Sequence, residues 1–90
     1  MKRDEILEFA KKIVVGARAK DYGEASGNHK RIAYLWSAIT GRTITEDQVY
    51  LMMIAVQISR LCETPNHTDS WIDICGYSAL GGEAYNKDDK

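Results

Sequence analysis

The side chains able to do chemistry in this sequence are carboxylates, aromatics and a few isolated polar groups. Glu5 and Glu8 stand in an ExxE spacing, which puts both carboxylates on one face of a helix. Asp69 and Asp73 lie one helical turn apart, and Tyr77 lies one turn further on. Four carboxylates from two helices can hold Mg²⁺ and a diphosphate, with the metal activating water at phosphorus. Glu5, Glu8, Asp69 and Asp73 are therefore the candidate metal ligands of a hydrolase.

A second set consists of polar residues in line with apolar stripes. Asn28 falls four positions before Ile32, and Arg60 continues the stripe Val49, Met53, Val56. His67 and Ser70 open the segment that carries Asp69, Asp73 and Tyr77. A buried arginine needs a partner, and Asp69 or Asp73 can supply it. That pair is either an internal clamp between two helices or part of a ligand site. Asn28, Arg60, His67, Asp69, Ser70, Asp73 and Tyr77 are expected to converge on one cleft, since a small domain seldom keeps so many polar groups near its core without a ligand. Other chemistries find little support. His29 and His67 are too far apart for a helical metal pair. No GxSxG, P-loop or dinucleotide fingerprint occurs. Cys62 lies near His67, but its neighbours Ile58 and Leu61 predict burial rather than reactivity.

Four helices must position these groups. Ile6, Ala10, Ile13, Val14 and Ala17 mark an amphipathic first helix, with acids early and bases late to match its dipole. Asp21-Tyr22-Gly23 and Ser26-Gly27-Asn28 read as a glycine-punctuated connection, in which Asn28 could simply be a cap. A second helix carries Ile32, Leu35, Trp36 and Ile39 and stops at Gly41. Thr45 and Gln48 form a capping box for a third. Its two apolar stripes, Val49/Met52/Met53/Val56 and Leu51/Ile54/Ile58/Leu61, predict burial on two sides, against the bundle or an oligomer partner. Pro65 ends it, and Asn66, His67 or Thr68 caps a fourth helix through Trp71, Ile72, Cys75, Ala79 and Leu80. Gly76 inside that helix costs about 1 kcal/mol against alanine, which implies the close approach of a backbone or ligand. Gly81-Gly82 is expected to fray its end. The sequence thus predicts an all-α, compact bundle of about four helices over residues 1–85, with a polar tail over 86–90.

Composition limits the function classes. With 44% hydrophobic and 28% charged residues, the chain is neither disordered nor fibrous. A net charge of -1 argues against general nucleic-acid binding. The run from Gln48 to Ser59 carries no charge, yet it is well short of the roughly 20 residues a membrane span needs. The N-terminus turns acidic at Asp4-Glu5 without an apolar signal core. Cys62 and Cys75 fit free thiols of a reducing cytoplasm. A domain this small buries only about 60–65% of its unfolded surface, so homo-oligomerisation is expected to complete it. Between Lys11 and Arg31 six basic residues face two acids, a local positive segment able to accept phosphate.

Taken together, Arg18-Ala-Lys-Asp-Tyr-Gly23, Asn28 to Trp36 (NHKRIAYLW), Ile44-Thr45, Met52-Met53-Ile54 and His67 to Tyr77 (HTDSWIDICGY) resemble a small phage and prophage family known only as a domain of unknown function. The resemblance covers nearly the whole chain. It implies a phage origin and a cytoplasmic location in the infected bacterial host. A fainter likeness is to the all-α nucleotide pyrophosphohydrolases of the MazG-like kind. Their ExxE is matched by Glu5 and Glu8. Their second motif, ExxD, is not reproduced by Asp69-x-x-x-Asp73, which departs in spacing and residue type.

Three functional expectations follow. The first is a phage nucleotide-binding protein without catalysis or cofactor, sequestering a nucleotide signal of host defence. There Trp36 or Tyr22 stacks on a base, Arg18, Arg60 and Lys20 meet phosphates, and Asn28, Asp69 or Asp73 bonds base or ribose. His67, Ser70 and Tyr77 complete that expected ligand set. The second is a Mg²⁺-dependent nucleotide hydrolase. The third is a helical adaptor whose Met52-Met53 stripe binds a host protein.

Overall fold

In the computed structural model, which describes residues 1–15 and 19–86 (without the side chains of 19–26), the chain forms four α-helices. They are α1 (Arg3–Val15), α2 (Ala19–Thr40), α3 (Glu46–Glu63) and α4 (Thr68–Asn86). No strand occurs among the described residues. The all-α expectation holds, and each helix end has a local cause. At the start of α1 the Lys2 backbone N–H donates to Glu5 Oε1 at 2.9 Å, while Asp4 and Glu5 place negative charge at the positive end of the dipole. Gly41 closes α2 at φ 70°, a left-handed conformation costly for any residue with a Cβ. Ser37 ties down the loop that follows: its Oγ accepts from the Ile44 N–H at 2.7 Å and donates to the Ala33 carbonyl at 2.7 Å. The predicted capping box opens α3, with the Thr45 N–H donating to Gln48 Oε1 at 2.9 Å.

Two boundaries differ from expectation. The glycine-punctuated connection is helical, because α2 begins at Ala19 and runs through Gly23 and Gly27. Glycine costs a helix about 1 kcal/mol but does not break it, and no proline interrupts this stretch. Asn28 is therefore an interior, exposed helical residue rather than a cap. Likewise Gly81-Gly82 does not fray α4, which continues to Asn86. Residues 87–90 lie outside the described residues, so most of the predicted tail does too. At Gly27 an added Cβ would meet nothing within 4 Å. Gly27→Ala is thus expected to stabilise the fold by about 1 kcal/mol, seen as a rise of about 4–8 °C in Tm.

Helix α4 packs along α3 over the longest seam and also against α1, while α2 closes against α3 and more lightly against α1. The buried apolar side chains are Ala10, Ala33, Val49, Tyr50, Leu61 and Ile72. On α3 the buried line runs through Val49, Gln57 and Leu61, with Met53 half-buried between them. Neither predicted stripe is wholly inside: Leu51, Met52, Val56 and Ile58 are exposed. The chain therefore covers one side of α3, and the expected second side faces outward. Arg60 is exposed as well and pairs with neither Asp69 nor Asp73, so the internal clamp is not formed. Cys62 is an exposed free thiol, contrary to the burial expected from Ile58 and Leu61, and Cys75 is a half-buried one. Gly76 is buried, and an added Cβ would lie 3.6 Å from Val14 Cγ1, an ordinary contact with a side chain of α1 rather than the close approach of a backbone or ligand expected there.

Gln57 is buried in this seam, and its Oε1 has no hydrogen-bond partner. A buried acceptor without a donor costs about 1–3 kcal/mol. Gln57→Leu, of similar volume, is accordingly expected to raise stability by at least about 1 kcal/mol. The measurement is the midpoint of urea unfolding, and a lowered midpoint would show that the amide contributes favourably.

Candidate functional site

The residues singled out by sequence separate into three places. The turn from α3 to α4 holds His67 and Ser70, where the Ser70 N–H donates to the His67 carbonyl at 3.1 Å and their side chains are bonded at 2.8 Å through Nδ1 and Oγ. Trp71 Nε1 donates back to the Pro65 carbonyl at 3.0 Å. Ser70 is fully buried. These contacts start α4 and close the turn; the His67 bond engages Nδ1 alone. Asp69, beside them, is exposed.

Asn28 and Trp36 stand on α2, exposed and half-buried respectively, and Arg60 is exposed on α3. Arg18 and the side chains of Lys20 and Tyr22 lie outside the described residues. Glu5, Glu8, Asp69 and Asp73 do not assemble a metal centre, since no three His, Cys, Asp or Glu side chains among the described residues are placed to hold an ion.

The third place is where sequence and structure meet. Tyr77 belongs to an aromatic group joining α2, α3 and α4. The His29 ring lies 4.7 Å from the Tyr50 ring at 41°, the Tyr50 and Tyr77 rings are 6.3 Å apart, and His29 meets Tyr77 edge-on at 6.4 Å. Such tilted and edge-to-face arrangements are the favoured ones for aromatic pairs. Tyr50 O–H donates to Glu46 Oε2 at 3.3 Å, one turn earlier on α3. Asp73 and Tyr77 also border a small crevice with Ile13, Ile72 and Gly76.

From this group a cleft of about 310 Å³ opens between α3 and α4. Asp47, Tyr50, Leu51 and Ile54 form its α3 wall; Tyr77, Ser78, Gly81, Gly82, Tyr85 and Asn86 form its α4 wall. The volume lies at the lower end of small-molecule sites. Gly81 allows the walls to approach, because a Cβ there would stand 3.1 Å from Tyr50 Cβ. Among the described residues no Lys, Arg or His lines the cleft. Of the expected ligand set, Tyr77 is the one member among the described residues that lines it. Asp47, Tyr50, Gly81 and Tyr85 were not foreseen. Their signal was present: Tyr77, Gly81 and Tyr85 recur every four residues, which is one face of a helix. Reading Gly81-Gly82 as a frayed end hid that face.

The fold and cleft define a small all-helical domain with a ligand-sized, tyrosine-lined opening. Comparison with known proteins adds a lineage. Residues 5–85 match the family model described as a domain of unknown function, DUF6378, and the chain belongs to that family. It is similar to the Gene 55 protein of Mycobacterium phage L5, at 45% identity over 76 residues, covering 83% of this chain and 49% of that protein. It is also similar to the Gene 55 protein of Mycobacterium phage D29, at 34% identity over 84 residues, covering 93% of this chain and 56% of that protein. The chain thus spans about half the length of the curated relatives it matches. No solved structure matches it. The expected resemblance to a small phage family of unknown function is borne out. Among the described residues, no helix is long and apolar enough to cross a membrane.

Proposed function

We propose that this phage-family protein binds a nucleotide or a nucleotide-derived small molecule without catalysis, holding the base in the cleft between α3 and α4. The observation that carries the reading is the cleft itself, with Tyr50, Tyr77 and Tyr85 around it and Gly81 and Gly82 in its wall. Planar rings stack on tyrosine, and glycine lets a flat ligand come close to backbone. The failure of Glu5, Glu8, Asp69 and Asp73 to gather favours retention over Mg²⁺-dependent hydrolysis. The relatives are phage proteins, and the proposed role extends to the removal of a nucleotide signal from the host.

The test is direct. The protein is mixed with nucleosides, nucleotides and cyclic dinucleotides, with and without Mg²⁺, then desalted, denatured and analysed by HPLC. Intact ligand released only on denaturation is the expected result. Mg²⁺-dependent products would establish the hydrolase instead, and neither retention nor turnover would overturn both.

The exposed side chains of Leu51, Met52, Val56 and Ile58 support a second element of the proposal, self-association through the outer side of α3. Light scattering is expected to give more than one chain per particle, and Val56→Glu to give single chains of unchanged helicity. A monomeric wild-type protein that captures a host protein through this surface would favour the adaptor reading.

A further inference from the structure

The cleft also has an electrostatic character, and it selects among ligands. Its one charged group among the described residues is an acceptor, while Tyr77, Ser78, Tyr85 and Asn86 add neutral polar groups. The Asp47 carboxylate is half-buried and has no hydrogen-bond or ion-pair partner among the described residues. The Asn86 amide gives one N–H to the Gly82 carbonyl at 2.8 Å and keeps Oδ1 and its second N–H. No cationic side chain of the described residues lines the opening. Among the described residues, a phosphate entering here would meet a carboxylate and no counter-charge, whereas a ring edge carrying N–H donors would meet a half-buried acceptor.

A carboxylate has two oxygens and accepts two parallel N–H bonds from donors set side by side. Among the common bases, only guanine presents two adjacent N–H donors on one edge, at N1 and the exocyclic amine. Adenine and cytosine pair a donor with an unprotonated ring nitrogen, which a carboxylate repels. We infer that the cleft is selective for a guanine-type base, with Asp47 receiving its donor edge, Tyr77 and Tyr85 receiving its faces and any phosphate remaining outside. This rests on the proposed nucleotide-binding reading and narrows it to one substrate class.

The experiment measures equilibrium binding of guanosine, inosine, adenosine, cytidine, uridine and guanosine monophosphate to the wild-type protein and to Asp47→Asn. Asp47 has no partner to lose among the described residues, so the variant should fold, which circular dichroism verifies. Guanosine is expected to bind at least about tenfold more tightly than adenosine, cytidine or uridine, in line with the discrimination of a bidentate pair. Inosine, which lacks the exocyclic amine, should fall between them. Guanosine monophosphate should bind no more tightly than guanosine, and Asp47→Asn should lose about tenfold on guanosine alone. Equal binding of all nucleosides, or a preference for adenosine, would overturn guanine selectivity while leaving base binding intact. Tighter binding of the monophosphate would overturn the exclusion of anions. Retention of no nucleoside at all would overturn both this inference and the reading beneath it.

Discussion

Tyr50→Ala is expected to destabilise the protein by about 3–5 kcal/mol, the usual cost of deleting a buried aromatic ring. Tyr50 is only 2% exposed, and it is the largest fully buried side chain among the described residues. Its ring packs against His29 at 4.7 Å and Tyr77 at 6.3 Å, so one residue from α3 holds together groups from α2 and α4. Deleting it removes these contacts, opens a cavity beside Gly81 and strands the partners around it. For a domain whose whole stability lies near 5–15 kcal/mol, such a loss leaves a large unfolded fraction. Tyr50→Phe provides the contrast. It keeps the ring and removes the hydroxyl that bonds Glu46, at a cost of about 0.5–1.5 kcal/mol. Urea unfolding followed by circular dichroism separates the two. A loss below about 1 kcal/mol for Tyr50→Ala would show that the seam does not depend on this ring.

Gly81→Leu is expected to cost about 1–3 kcal/mol by overpacking and to abolish ligand retention. A Cβ at this position lies 3.1 Å from Tyr50 Cβ and 3.7 Å and 3.8 Å from its ring atoms. The seam must open to admit it, and the remaining leucine atoms occupy the cleft wall. Gly81→Ala forces a smaller adjustment and gains helix propensity, so its net effect on stability should be slight. Gly82→Ala is the control, since an added Cβ there meets nothing within 4 Å and should stabilise α4 by about 1 kcal/mol. Thermal melts report the stability ranking, and desalting followed by HPLC reports retention. Full retention by Gly81→Leu would place the ligand elsewhere.

The helices were legible where one local device decides the outcome. The Thr45–Gln48 box, Gly41 and Pro65 act within a few residues of themselves, and all three boundaries fell as expected. The Gly23–Gly27 stretch was harder, because two glycines weaken a helix by an amount that packing can offset. Arg60 and Asn28 show a second limit. Their four-residue spacing from apolar positions placed them near a buried stripe, yet the buried line of α3 turned toward Tyr50, Gln57 and Leu61. Periodicity shows that a helix has an apolar side; when both sides are apolar, it does not show which one the chain covers. The site was half legible for the same reason. Tyr77 was found through its spacing from Asp69 and Asp73, but the cleft depends on the approach of Gly81 to Tyr50, a tertiary contact between residues far apart in sequence.

On the proposed reading, a base-bearing ligand occupies the opening between α3 and α4. The most direct measurement is an amide chemical-shift titration of the isotope-labelled protein with guanosine. Saturable shifts are expected, greatest at Tyr50, Tyr77, Gly81, Gly82 and Tyr85, with little change in the His67–Ser70 turn. Absence of shifts, or shifts centred on Leu51, Met52, Val56 and Ile58 without Gly81 or Tyr85, would contradict it.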